Sequence, residues 1–144
     1  MTPEQIKLVR LTLAQILDRK METGRTFYDR LFTIGPEARG LFKDDIDAQA
    51  RKLMDTIAVA ISSLRDPATL KAMLEDLGRR HVGYGAKDEH YDKVGEALLW
   101  ALEKVLGAAF TPQVREAWAT LYGAVASTMK SGAKGGTAAF KQSA

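Results

Sequence analysis

Three side chains in this sequence could share one piece of chemistry: tyrosine 28, glutamine 49 and histidine 81. The histidine stands in "LEDLGRRHVGYGAKDEHYDKVG", residues 74 to 95, at the end of a helical run and just before two glycines. A neutral imidazole nitrogen is a good ligand for iron or zinc. A phenol and an amide are hydrogen-bond donors that can hold a small polar ligand once water is excluded. A lone histidine on an amphipathic helix can equally be a partly buried polar residue, or a cation at the negative end of the helix. Tyr28 and Gln49 can equally bond each other, a backbone group or solvent.

Side chains alone do not make a metal site here. His90 lies past the two glycines, and no H-x-x-x-H, H-E-x-x-H or paired E-x-x-H pattern occurs. The chain has no cysteine. That removes disulfides, thiolate catalysis, cysteine metal sites and haem attached through C-x-x-C-H. One histidine is enough only if a cofactor brings the other ligands. Haem does so, with four porphyrin nitrogens, one protein imidazole and one open position.

The elements that must carry these residues read as helices throughout, with no convincing period-two alternation. Thr2, Pro3 and Gln5 form a helix start with a capping box, followed by a stripe of Ile6, Val9, Leu13 and Leu17. A second helix spans about residues 21 to 33 and presents Gly24, Phe27, Tyr28, Leu31 and Phe32 inward. Gly24 lets another backbone cross closely, and Ala50 is the small residue expected opposite. Gly35-Pro36 ends that helix and opens a short one. The charged loop "KDDID" leads to a helix over roughly 47 to 64, with Gln49, Leu53, Ile57 and Ile61 as its inner face. Asp66 caps the next, with Pro67 just inside. Met73, Leu77 and His81 share one face of it, and Gly83 and Gly85 end it. Two long helices follow at about 88 to 107 and 111 to 130. The first carries Tyr91, Val94, Leu98 and Leu102, the second Val114, Trp118, Leu121, Val125 and Met129. We expect a flexible tail over 131 to 144, "SGAKGGTAAFKQSA".

The totals fit one domain: 144 residues, 46% hydrophobic and 27% charged. The net charge of +3 is spread among acids rather than gathered in a block. Nucleic acid and membrane surfaces are therefore not expected partners. The start "MTPEQIKLVR" lacks the apolar core of a signal peptide, and no run is long enough to span a bilayer, so the expected location is cytoplasmic.

Taken together, the segments resemble the globins, and within them the bacterial single-domain globins that are similar to the haem domain of flavohaemoglobins. "FYDRLFTIGPEARGLF" resembles the stretch with the family's distal tyrosine and haem-wedging phenylalanine, here Tyr28 and Phe42. "AQARKLMDTI" resembles the distal helix, with Gln49 at the ligand gate and Leu53 over the haem. "LGRRHVGYGAKDEHYDKVGEALL" resembles the proximal histidine and the helix after it, and "AWATLYGAVASTM" the last helix. The likeness covers about residues 4 to 130, and the order and joint spacing of its motifs carry it.

The resemblance implies an all-α globin fold of about seven helices around a haem pocket, occupying residues 1 to 130. It implies non-covalent haem b with His81 as the axial ligand, and Tyr28 and Gln49 as donors to a bound diatomic gas. Ile57, Leu77, Tyr84 and Val94, with Met54, Val82 and Leu98, are candidate haem contacts, or ordinary core. Lys52 and Arg80, with Arg51, are candidates for the propionates, or solvated charges. Tyr91 matches the tyrosine that, with a glutamate, tunes the proximal imidazole in flavohaemoglobins. The glutamate's region here is "SGAKGG", without a carboxylate, so the expected partner for His81 is a backbone carbonyl near Leu77.

Several functions fit. One is reversible binding of dioxygen, with nitric oxide and carbon monoxide as further ligands, for storage, delivery or sensing. Another is an enzyme, nitric oxide dioxygenase, which needs an external reductase because no flavin or G-x-G-x-x-G site is present. A third is a haem-free helical sensor or interaction module. A peroxidase would lack a distal histidine. A monomer is expected.

Overall fold

The computed structural model describes residues 1–42 and 45–143, with side chains to residue 134. The middle of the expected charged loop, Lys43 and Asp44, lies outside the described residues, as does Ala144. Among the described residues there are six α-helices and no strand: α1 (Pro3–Leu17), α2 (Lys20–Ile34), α3 (Ile46–Ser62), α4 (Pro67–Gly83), α5 (Asp88–Leu106) and α6 (Pro112–Ser143). Short 3-10 turns at Pro36–Leu41, Ser63–Arg65 and Gly107–Ala109 link them. The fold is the all-α one expected, and none of its helices is long and apolar enough to cross a membrane.

Local chemistry explains the helix ends. Thr2 and Gln5 make the reciprocal capping box, at 3.1 and 2.9 Å. Asp66 accepts from the Thr69 amide at 3.3 Å with Pro67 in the first turn. Gly85 ends the α4 corner with φ of +88°, a conformation that L side chains rarely adopt. Lys93 on α5 donates to the Ile34 carbonyl at 2.9 Å, capping the end of α2 from outside, and Arg19 does the same for Val105 at the end of α5, at 2.8 Å.

Val9, Ile16, Leu31, Met54, Leu102 and Trp118 form the centre of a continuous core drawn from α1, α2, α3, α5 and α6. The buried Trp118 indole donates to the Thr12 hydroxyl at 2.8 Å, so the polar atom in that core is satisfied. Two glycine crossings set the helix spacing. A Cβ on Gly24 would lie 2.6 Å from the Ala50 Cβ, so α2 and α3 meet at the pair the sequence suggested. A Cβ on Gly78 would lie 1.9 Å from the Met129 carbonyl oxygen, and one on Gly132 would lie 2.3 Å from the Glu75 Cα. The α4 and α6 backbones are therefore nearly in contact over more than a turn.

That second crossing explains a difference from the sequence reading. The last helix was expected to end near 130, but it continues to Ser143. Gly132 is buried against α4, so the helix is held by packing beyond the expected end.

Gly78→Ala is expected to lower stability by about 1–3 kcal/mol, because the overlap outweighs the gain in helix propensity. Gly123→Ala, exposed on α6 with no atom near its added methyl, is expected to raise it by about 0.5–1 kcal/mol. Thermal and denaturant unfolding of the two variants measure both.

Candidate functional site

Helices α3 and α4 each carry two stripes. On α3, Ala50 and Met54 are fully buried, while Gln49, Leu53 and Ile57, one position before each or one turn on, are only half-buried. On α4, Leu74 and Gly78 are buried against α6, while Met73, Leu77 and His81 are half-buried. The expected inner face of α3 is thus half-covered at Gln49, Leu53 and Ile57 and fully buried at Ile61, and the shared face of Met73, Leu77 and His81 on α4 is half-covered. Helix α3 packs on α2 and α4 packs on α6, and α3 and α4 are not closely packed on each other. The result is an incompletely covered apolar lining on two helices that stand apart.

His81 sits on the lining of α4. Its Nδ1 lies 2.8 Å from the Leu77 carbonyl oxygen. A carbonyl can only accept, so Nδ1 carries the proton and donates. Burial pushes the imidazole pKa below its ordinary value, with nearby Arg80 acting the same way and the Leu77 bond opposing. A neutral ring protonated on Nδ1 leaves a lone pair on Nε2. The backbone carbonyl that the sequence suggested as orienting partner is the one found. Its position follows from the packing, because Leu77 adjoins the Gly78–Met129 crossing.

Tyr28 is almost fully enclosed, at 4% exposure, in an aromatic cluster. Its ring centroid lies 4.8 Å from Phe27, 5.1 Å from Phe42 and 5.8 Å from Phe32. Burial pushes its phenol up to about 12. No buried side-chain nitrogen or oxygen among the described residues lacks a partner. Neither the Tyr28 hydroxyl nor His81 Nε2 has a hydrogen bond to a described residue, and neither atom is completely sealed off.

The remaining sequence candidates divide. Phe42 packs edge-on to Tyr28, and Leu53, Ile57 and Val94 are half-buried against the core. Gln49 and Lys52 are engaged by neighbouring groups. Tyr84, 59% exposed, lies with its ring centroid 5.6 Å from that of His81, and Val82 is 53% exposed. Met54 and Leu98 belong to the core. Arg80 pairs with Asp76 of its own helix at 3.2 Å, and Arg51 is exposed. Tyr91 lines a surface groove between α5 and α6 with Ser127, Lys130 and Ser131, and the Lys130 Nζ lies 5.2 Å above its ring. It has no hydrogen bond or ring contact to His81. His90 accepts from the Lys87 amide at 2.9 Å through Nδ1 and serves the start of α5.

Sequence reasoning missed the residues that hold the lining in place. Arg25 on α2 grips Asp47 on α3 with two bonds of 2.8 and 2.9 Å, and Lys20 pairs with Asp55 further along the same two helices. These partners are 22 and 35 residues apart, beyond the reach of helical periodicity. Gly78 was visible in the sequence, but its neighbour on α6 was not.

The donor set suits a flat iron porphyrin. It offers one imidazole nitrogen and one phenol hydroxyl without a hydrogen bond to any described residue, and apolar stripes on separated helices. No group of three or more His, Cys, Asp or Glu among the described residues could hold a bare metal ion.

The Tyr28 shift gives a test. Its folded pKa lies above the unfolded value near 10, so between pH 10 and about 12 the unfolded chain gives up a proton that the folded chain keeps. Stability therefore falls as pH rises through that window. Burial raises the Tyr122 phenol as well, so Tyr28→Phe is expected to remove one of the late-appearing phenolates from the ultraviolet titration and to lessen this alkaline loss, measured by denaturant unfolding at each pH.

The Globin family matches residues 25–129. A flavohemoprotein of Deinococcus radiodurans is 33% identical over 132 residues, covering 90% of this chain and 33% of that protein. A flavohemoprotein of Bordetella pertussis is 33% identical over 129 residues, covering 88% of this chain and 32% of that protein. The chain spans about a third of the length of these relatives.

Proposed function

The chain belongs to the globin family, and on that footing we propose that it holds haem b non-covalently through His81 and binds dioxygen reversibly beside Tyr28 and Gln49. Family membership by itself implies haem and gaseous ligands. When bound, the iron porphyrin would supply a metal centre that takes one protein imidazole and can hold a diatomic gas. His81 presents its Nε2 lone pair, held in orientation by the bond from Nδ1 to Leu77. Leu53, Ile57, Leu77 and Val94 cover the macrocycle with apolar surface. Phe42, edge-on to Tyr28, limits space and water.

The observation that carries this reading is Tyr28, its ring held among aromatic neighbours and its hydroxyl without a hydrogen bond to any described residue. A phenol with a pKa near 12 stays protonated and remains a donor across the physiological range. Gln49 adds an amide donor from α3. Donors fixed in a site of low dielectric act more strongly on a partly negative ligand than they would in water.

A second reading is nitric oxide dioxygenation, supported by the likeness to flavohemoproteins. The overall reaction joins dioxygen, nitric oxide and one electron to give nitrate. The same two donors would hold the dioxygen, and an external reductase would supply the electron. Tyr91 argues against a strongly tuned proximal side, because it stacks under Lys130 and does not reach His81.

Absorption spectra of the ferric, ferrous, oxy and carbonmonoxy forms test cofactor and coordination together. His81→Ala is expected to lose stable haem, and a variant that keeps a histidine-ligated spectrum would move the axial role elsewhere. Tyr28→Phe is expected to speed dioxygen release by about ten- to a hundredfold, since a strong donor is worth about 1.5–3 kcal/mol. An unchanged stopped-flow off-rate would remove Tyr28 from the role. Multiple turnovers of nitric oxide with a cellular reductase would favour the enzyme; a single turnover would favour the binder.

A further inference from the structure

The two proposed donors stand on different helices, so something must fix the distance between them. Tyr28 lies one turn after Arg25 on α2, and Gln49 two residues after Asp47 in the first turns of α3. Arg25 and Asp47 form a two-bond fork: Nε donates to Oδ1 at 2.8 Å and Nη2 to Oδ2 at 2.9 Å. Two parallel bonds from the planar guanidinium constrain orientation as well as distance. Asp45, at the start of α3, makes no side-chain cap. The fork adjoins the Gly24–Ala50 crossing, where the two backbones can approach no closer. Steric contact sets the minimum separation there, and the fork resists the helices opening beyond it.

We propose that Arg25 and Asp47 are positioning residues that fix α3 against α2 and so set how the Tyr28 hydroxyl and the Gln49 amide converge on a bound diatomic gas. This rests on the reading of those two side chains as ligand donors. Both ion-pair partners are about half exposed, so the pair adds little to global stability. Its effect is on placement: releasing it lets the first turn of α3 drift, and a hydrogen bond weakens steeply with distance and angle.

The test uses the haem-loaded full chain with Asp47→Asn, Arg25→Gln and the double variant, and Gln49→Leu as reference. The C–O stretching frequency of the carbonmonoxy form reports the polarity at the ligand, and stopped flow gives dioxygen release. Each single variant is expected to raise the C–O frequency and speed release several-fold, with melting temperature nearly unchanged. The double variant is expected to match the singles, because one interaction is removed once. Singles that leave both readouts unmoved while Gln49→Leu moves them would overturn the proposal and leave the donor reading standing. Effects of the two singles that simply add would also overturn it. If Gln49→Leu itself moves neither readout, the amide is not a donor and the proposal falls with that reading.

Discussion

The bond from His81 Nδ1 to the Leu77 carbonyl decides what the imidazole can do. It fixes the ring's tautomer and orientation, and it leaves one nitrogen with a lone pair. A carbonyl within a helix is only as well placed as the helix. Here α4 rests on α6 through backbone contact at Gly78 and Gly132. Side chains at those positions would separate the helices and carry the Leu77 carbonyl with them. The imidazole's placement therefore traces back to the absence of two methyl groups, one of them on a stretch of α6 that looks unstructured by composition.

The opposite wall follows the same rule with different parts. Gly24 against Ala50 brings α3 onto α2, and charged pairs on either side of the crossing align the two. Each wall uses one stripe to pack and leaves the adjacent stripe half-covered. A helix surface can serve both purposes because neighbouring positions lie about 100° apart around its axis.

Much of the architecture was legible in the sequence, for local reasons. The capping box at Thr2, the Asp66–Pro67 start and the glycine stops are short-range signals, and all lie where they were read. The Gly24–Ala50 contact was also legible, since a glycine on an apolar face calls for a close neighbour. On α3 the expected inner face is fully buried at Ile61 alone, and the neighbouring Ala50 and Met54 are buried in place of Gln49 and Leu53, because periodicity locates apolar stripes without saying which of two is covered. The end of α6 was misplaced because glycine and alanine in "SGAKGG" are poor evidence of packing until α4 is seen against them. At the candidate site, the inward placement of Tyr28 and the Leu77 carbonyl as partner of His81 were legible, because both follow from spacing along a single helix. The Arg25–Asp47 pair was not, since only the folded chain brings those charges together.

The chain's two histidines hold their protons on opposite ring nitrogens. His81 donates through Nδ1, whereas His90 accepts there from the Lys87 amide and must carry its hydrogen on Nε2 when neutral. Both imidazoles thus have Nδ1 occupied, but the remaining nitrogen is nucleophilic in one and an N–H in the other. With no cysteine in the chain, an alkylating or acylating reagent meets a single basic ring nitrogen, at residue 81. The fold has turned two chemically identical side chains into one Lewis base and one helix cap, and a molecule seated on Nε2 of His81 would shield the former from modification.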